Sequence, residues 1–425
     1  MRTLIKEVNQ NSKEKVNIQG WVFRVRKLKK FSFVIIRDYS GYIQCFLDHN
    51  IYHEEISLES AVSLEGYVSL NKNDYADYEI QITSLIILNK ATSQPMSINQ
   101  IEIDASLDTI LNHRAYSLRH QKNQAIFNIQ NTISNTFRDF LRGKDFHEIH
   151  SPKIVSQGAE GGTDVFALDY FGQLAYLSQS PQFYKQMMVA SFERVYEISQ
   201  VYRAEKHNTS RHLNEYVSMD LELGFIDDEH TLMDLEEQYI LYLLETLLLH
   251  HQNDISLFSR SIPTIKDKIP RIPFRKAIQI LKQEYGKEND FYDLEPESER
   301  LLCLYAKEKY QSDFIFITHY PRAKRPMYTM PFGEEETHSF DLLFNGTEIT
   351  TGGIRIHDYQ ALKNNMLYFG VDPNKFPMYL EVFKQGIPPH GGFALGLERV
   401  TIMLLGLKNI REASLFPRDC TRLLP

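Results

Sequence analysis

Disulfide chemistry is the first thing this sequence argues against. Its 425 residues hold three cysteines, Cys45, Cys303 and Cys420, far apart and with no CxxC pair. That pattern supports neither a disulfide framework nor a cysteine-built zinc site. Long apolar runs are missing as well. The most apolar stretch, ILYLLETLLL at 240–249, is broken by Glu245 and is far shorter than the ~20 residues a bilayer span needs. The N-terminal MRTLIKEVNQ lacks the apolar core of a secretory signal, so a soluble cytoplasmic protein with no membrane partner is expected. Excess positive charge is also lacking. The formal net charge of −8 argues against nucleic-acid binding over the whole surface. It leaves room for a local basic face, because salt confines each patch to about 10 Å, and RVRKLKK at 24–30 is such a patch.

What is present suits a globular chain with a substantial core: 43% hydrophobic and 24% charged residues, at a length that predicts two domains. Residues 16 to 90 read as five short strands, VNIQGWVF, FSFVIIRD, GYIQCFL, AVSLEGYVSL and YEIQITSLIIL, with a tight turn at DYSG, 38–41. Five strands in so short a span predict a small barrel of the OB type. The more polar residues 93–125 read as a hinge. From Gln124 the apolar spacing becomes helical and ends near Gly143. Strand-like segments then alternate with a helix at 229–251 and a helical insertion at about 250–310. The expected organisation is an OB-fold domain at 1–92, the hinge, and an α+β domain at 126–425 built on a mostly antiparallel sheet flanked by helices. In EYVSMDLELGF, Val217, Met219, Leu221 and Leu223 alternate with Ser218, Asp220 and Glu222, predicting a strand with one face on a core and one polar face.

Three stretches carry chemistry. YRAEKHNTSRHLNE, 202–215, concentrates Arg203, Glu205, Arg211, His212 and Glu215 between two strands. Guanidinium groups match phosphate bidentately, a glutamate can accept from an exocyclic amine, and the face of Tyr216 can stack on a base. In HGGFALGLERV, 390–400, glycines 391, 392 and 396 let a strand pass close to a ligand. Arg399 lies in the first turn of the following helix, where anions are favoured. In SFDLLFNGTEITTGGIRIHD, 339–358, Asp341 and Glu348 flank a turn and could converge as hard oxygen ligands for Mg²⁺. Taken singly, each stretch also fits a salt-bridged or solvated surface.

Together they resemble class II aminoacyl-tRNA synthetases. Tyr202-Arg203-Ala204-Glu205 with Arg211-His212-Leu213-Asn214-Glu215 resembles that family's motif 2, GGFALGLER its motif 3, and GKDFHEIHSPKIV, with Pro152, its motif 1. EGGTDVF, QSPQFYKQ, RPMYTMP, IRIHD and the tail SLFPRDCTRLLP look more narrowly like the aspartyl-tRNA synthetases of archaeal and eukaryotic type. The resemblance covers nearly the whole chain.

It implies an ATP- and Mg²⁺-dependent ligase that joins aspartate to tRNA-Asp, with tRNA-Asn left open as a second acceptor. By that resemblance Arg203 and Arg399 are catalytic. Arg203 holds the α-phosphate, Glu205 the adenine amine, and Tyr216 the adenine ring, with Arg399 on its other face. His212 meets the γ-phosphate, Arg211 assists, and Gly396 and Glu348 complete the ATP site. Asp341, Glu348 and Thr351 hold the metal. Glu160 and Gln182 bind the substrate ammonium with support from Ser156 or Gln179, while Arg203 and Thr351 complete the aspartate site. Lys185 and Arg355 clamp the side-chain carboxylate. Arg26, Phe33 and Gln44 meet the anticodon, and the segment around Pro152 forms a homodimer interface. Asparaginyl relatives usually lack a lysine at the Lys185 position. Asparagine would leave two buried cations facing a neutral amide, at about 3–5 kcal/mol or about 2 to 3.5 powers of ten, so aspartate should win without editing. Departures from the family pattern are Ala394, where a glycine is usual and a methyl could crowd the nucleotide, and Thr351 in place of serine. An asparaginyl enzyme, an adenylate-forming relative outside translation and an RNA-binding regulatory paralogue remain as alternatives.

Overall fold

The computed structural model describes residues 2–9, 15–52, 55–158, 165–207 and 209–424. The chain divides into two compact units, Met1–His113 and Arg114–Pro425.

The first unit is a closed barrel of β1 (Val16–Lys27), β2 (Phe31–Asp38), β3 (Gly41–Asp48), β4 (Ala61–Leu70) and β5 (Tyr78–Asn89), joined in the order β1-β2-β3-β5-β4. The strands are antiparallel except for β3 against β5. Alternation sends Ile18, Val34, Ile36, Ile43, Cys45, Val62 and Ile80 inward, all essentially without exposure, so Cys45 serves as a core residue. The DYSG turn closes because the Asp38 Oδ1 accepts from the amides of Ser40, at 2.7 Å, and Gly41, at 3.1 Å.

The second unit is built on an eight-stranded sheet. In chain order its strands are β6 (His147–Glu148), β7 (Arg194–Tyr202), β8 (Glu215–Gly224), β9 (Arg271–Pro273), β10 (Phe314–Thr318), β11 (Ser339–Phe344), β12 (Thr347–Arg355) and β13 (His390–Gly396). They lie side by side in the order β9-β10-β11-β12-β13-β8-β7-β6. The pairing is antiparallel except at the two edges, β9 with β10 and β6 with β7. Helices α1 (Gln121–Arg142) and α3 (Glu229–His250) pack through one main core, where Phe137 meets Tyr239 edge-on at 5.1 Å. Helix α1 buries Ile126, Ile129, Ile133, Phe137 and Leu141, the helical spacing. It starts at Gln121 because the His120 ring accepts from the amide of Lys122.

Two features differ from the sequence expectation. The stretch read as an irregular hinge contains the short helices Leu107–Asn112 and Arg114–Ser117. The insertion is more than helical: beside α4 (Phe274–Tyr285) and α5 (Pro296–Tyr310) it contributes edge strand β9 to the sheet. Three residues leave too short a periodic signal to identify a strand.

Candidate active site

The polar face that alternation predicts for β8 is buried: Ser218, Asp220 and Glu222 are 6%, 1% and 0% exposed. Its register sets these residues in rows that run across the sheet. Asp220 pairs with Ala394 on β13, Ala394 with Thr351 on β12, and Thr351 with Asp341 on β11, one row across four strands. The next rung pairs Glu222, Gly392 and Gly353. Gly391 and Gly392 are required by this packing rather than by ligand approach. A Cβ on Gly392 would stand 2.2 Å from both the Glu222 Oε2 and the Leu221 carbonyl. At Gly396 the nearest atoms an added Cβ would meet belong to the Arg399 side chain, at 3.5 Å.

Above these rungs lies a cleft of about 370 Å³, bounded also by α2 (Gln182–Phe192) and α6 (Leu397–Leu405). At its buried end four charges form a quartet. The Lys185 ammonium meets Asp220 Oδ1 at 3.0 Å and Glu222 Oε2 at 3.4 Å, with the Leu221 and Phe393 carbonyls at 3.3 and 3.4 Å. The Arg355 Nε donates to Glu222 Oε1 at 2.9 Å, and a terminal nitrogen donates to the Gly392 carbonyl, also at 2.9 Å, and to Gln182 at 3.5 Å. Burial acts to raise the Glu222 carboxyl, but Arg355 and Lys185 outweigh it and hold the group below its ordinary range. Lys185 and Arg355, expected as two cations facing the substrate, have Asp220 and Glu222 beside them, which bring the quartet to zero. An ammonium has three donors, and those of Lys185 are already committed.

Beside the quartet, His390 is buried and pushed down to about 4, chiefly by desolvation. Its Nδ1 lies 2.8 Å from the Pro388 carbonyl, so Nδ1 carries the proton and Nε2 accepts from Gln186 at 3.0 Å. Gln186 in turn accepts from the Tyr379 hydroxyl at 2.9 Å. This chain keeps a neutral ring next to Glu222.

At the open end the hairpin residues gather as expected. Arg203 stands 4.0 Å from Glu205 and lies over the Tyr216 ring at 5.7 Å. His212 Nε2 is 3.9 Å from Glu205, and burial lowers its basicity. Arg399 reaches the Glu348 carboxylate at 3.4 Å and its carbonyl at 3.2 Å, and Thr351 donates to Glu348 at 2.8 Å. Arg203, Glu205, Arg211, His212, Tyr216, Glu348, Thr351, Gly396 and Arg399 all line the cleft, as do Gln179, Gln182, Lys185, Arg355 and Ala394.

Asp341 does not line it. It is buried, and its Oδ2 accepts from Arg325 at 2.8 Å. Burial, opposed by Arg325 and reinforced by Glu348, pushes its carboxyl up to about 6. Its Oδ1 is buried without a hydrogen-bond donor. That orphaned oxygen, the Glu348 carboxylate and the Thr351 hydroxyl are a hard donor set of the kind that fits Mg²⁺. Ser156 and Pro152 are exposed and outside the cleft, and Glu160 lies outside the described residues.

Four residues that sequence reasoning did not assign belong here. Asp220 and Glu222 were read only as polar-face positions. Arg325 was quoted within RPMYTMP without a role, yet it anchors Asp341 and stacks 3.9 Å over Tyr320. Glu299, from α5, stands 3.7 Å from Arg211, and burial together with Glu348 pushes it up to about 8. No local motif marks it.

On the barrel, Arg26, Phe33 and Gln44 stand on the outward face, outside the barrel core. Arg26 pairs across strands with Phe33, and Phe33 with Phe46. Phe31, Phe33 and Phe46 form an aromatic cluster with centroids 4.9 to 6.2 Å apart. The Gln44 amide donates to Glu79 at 2.6 Å.

Comparison with known proteins agrees with both units. Residues 16–88 match an OB-fold nucleic acid binding domain, and residues 106–420 match the class II tRNA synthetases (D, K and N). The chain is 45% identical to the aspartate–tRNA(Asp/Asn) ligase of Thermus thermophilus, over 100% of both chains. It is 43% identical to the protein of that name in Deinococcus radiodurans, over 100% of this chain and 99% of that one. The aspartate–tRNA(Asp) ligase of Picrophilus torridus is 40% identical over the full length of both. Among solved structures, asparaginyl-tRNA synthetase from Pyrococcus horikoshii with asparaginyl-adenylate superposes with a TM-score of 0.93 at 30% identity, covering 100% of both chains. Aspartyl-tRNA synthetase from Entamoeba histolytica gives 0.89 at 30% identity, covering 100% of this chain and 93% of that one. With a nucleic-acid-binding barrel ahead of a cleft built on these motifs, this chain belongs to the class II tRNA synthetases of the D, K and N group.

Proposed function

We propose that the chain is an aspartate–tRNA ligase that uses ATP and Mg²⁺ and charges tRNA-Asp and also tRNA-Asn. The observation that carries the choice of aspartate is the pair Lys185 and Arg355 at the buried end of the cleft, with Asp220 beside them as counter-charge for a substrate ammonium. The aspartate side-chain carboxylate shares the two cations with Glu222, and Gln182 and Glu160 assist at the ammonium. The α-carboxylate oxygen then attacks the α-phosphorus. One P–O bond forms, the bond to pyrophosphate breaks, and Arg203 and Arg399 neutralise the charge that develops. No protein nucleophile takes part. A ribose hydroxyl of the tRNA end next attacks the acyl carbon, and AMP departs. Glu205 and Tyr216 hold adenine, with His212, Arg211 and Glu348 around the phosphates. Asp341, Glu348 and Thr351 would hold Mg²⁺, which would add positive charge at the phosphates. Arg26, Phe33 and Gln44 meet the anticodon. A homodimer through the segment at Pro152 belongs to the same reading, supported by the exposed Pro152 and by Ile154, which is 48% exposed.

The broader tRNA range is supported by the names of the Thermus and Deinococcus relatives. Its test is charging of transcripts that differ only at the first anticodon base, where acceptance of one transcript alone refutes it. The amino acid is tested by exchange of pyrophosphate into ATP. Exchange that depends on asparagine and ignores aspartate would replace this reading with an asparaginyl one, which the neutral quartet makes the natural second reading.

A further inference from the structure

We propose that Glu229, His319 and His338 form a site for a transition-metal dication of the zinc class, separate from the nucleotide cleft. Three elements bring the residues together: Glu229 is the first residue of α3, His319 follows β10, and His338 precedes β11. One ligating atom from each lies within 4.8 Å of the other two. Glu229 Oε2 is 2.8 Å from His338 Nδ1, and Oε1 is 3.3 Å from His319 Nε2. Ligands of a tetrahedral ion at about 2.0–2.1 Å stand little more than 3 Å apart, so small side-chain rotations suffice.

The surroundings are those of a built site. The Glu229 carboxylate is 3% exposed. Burial acts to raise it, but the His338 hydrogen bond, a backbone amide and both imidazoles hold it below its usual range. The other ring nitrogen of His319 is held by the Thr318 hydroxyl at 2.9 Å, the outer contact that fixes the orientation of a ligating imidazole. His319 has φ +56°, an uncommon conformation for a residue with a side chain. Its amide is secured to the Ser339 carbonyl at 2.8 Å. His338 is secured at both its amide and its carbonyl, each at 2.9 Å, to Met330 and Ile354. Phe332 packs edge-on against both rings, at 4.7 and 4.9 Å. The imidazoles are 20% and 29% exposed on their outer side, which leaves room for a water as fourth ligand. Two imidazoles and one carboxylate suit zinc-class ions better than Mg²⁺, which prefers oxygen donors.

Titration of the full-length, tag-free protein with Co²⁺ and Zn²⁺, in buffer containing Mg²⁺, tests this. The expected result is one equivalent of Co²⁺ giving the visible absorption of a tetrahedral centre, displaced by Zn²⁺. His338→Ala and His319→Ala should each weaken uptake by about tenfold or more, with circular dichroism verifying that the variants fold. Glu229→Gln, which keeps the shape and removes the charge, serves if an alanine variant does not fold. Absence of the cobalt spectrum in the intact protein overturns the proposal. So does uptake that persists unchanged in the variants, which would place the ion elsewhere.

Discussion

Replacing Lys185 by methionine separates the two jobs its ammonium could hold. Methionine nearly preserves the volume and removes one charge from a quartet whose side chains are almost wholly buried. Asp220 would keep only the Ser218 hydroxyl, at 2.5 Å, as a side-chain donor, whereas Glu222 would keep Arg355 at 2.9 Å. Breaking a buried pair from one side costs about 3–5 kcal/mol, and because Lys185 is committed to Asp220, most of that should appear as lost stability. The share belonging to substrate is one hydrogen bond to a charged group, about 1.5–3 kcal/mol, or about ten- to 150-fold in kcat/KM for aspartate-dependent pyrophosphate exchange. Exchange with asparagine should change far less, so the ratio between the two amino acids collapses. Adding Asp220→Asn to Lys185→Met removes the orphaned charge and should restore much of the stability without restoring aspartate activation. Urea unfolding and exchange measured on the same preparations decide the matter. A variant that is fully stable yet loses more than ~10⁴-fold with aspartate would show that Lys185 is free for substrate, contrary to the quartet. Loss of stability with exchange unchanged would make it a counter-ion alone.

Acid should destabilise the second unit through His390. Its pKa is about 4 folded, against 6.5 ordinarily, so between those values the unfolded chain binds the extra proton. Stability is intact above pH 6.5, is lost as pH falls toward 4, and levels off below, for about 3 kcal/mol in all; urea unfolding from pH 7 to 4, compared with His390→Gln, reads it. Gly392→Ala should destabilise by about 1–3 kcal/mol, because its methyl would meet the Leu221 carbonyl at 2.2 Å; a stable variant would mean that the β8–β13 rung can spread. Phe33→Ala should weaken tRNA binding by about 1–3 kcal/mol and leave pyrophosphate exchange untouched, with Phe33→Trp restoring binding. Equal affinity for tRNA would remove Phe33 from the anticodon face.

The barrel was legible because each strand is long enough to show its alternation and because turn chemistry such as DYSG is local. The hairpin cluster at Arg203–Glu215 and the Gly396–Arg399 helix start were legible for the same reason, and the structure gathers them in one cleft. What was illegible depends on lateral neighbours. Nothing within EYVSMDLELGF says that Lys185 from α2 and Arg355 from β12 will meet its polar face, so Asp220 and Glu222 were read only as polar-face positions. Arg325 and Glu299 reach the site from segments whose own patterns are only loop and amphipathic helix. Asp341 was legible beside Glu348 as a hard oxygen donor, but its burial against Arg325 depends on a partner from another segment.

The quartet changes what selectivity for aspartate can mean. If Lys185 and Arg355 were bare, a neutral amide would forfeit two charge pairs and discrimination would be steep. Because Asp220 and Glu222 already balance them, an incoming carboxylate competes with Glu222 for Arg355 and with Asp220 for Lys185, while an amide leaves those pairs as they were. The penalty for asparagine then shrinks from about 3–5 kcal/mol toward the cost of one mismatched buried hydrogen bond, about 1–3 kcal/mol. The added anion also leaves a deficit of one positive charge, and a neutral His390, pinned by Pro388 and Gln186, does not supply it. In the proposed reading the substrate ammonium does, settling beside Asp220. On that reading selection rests on ammonium and carboxylate entering as a matched pair, and a pocket arranged this way can pass between acid and amide specificity by small changes around the same strands.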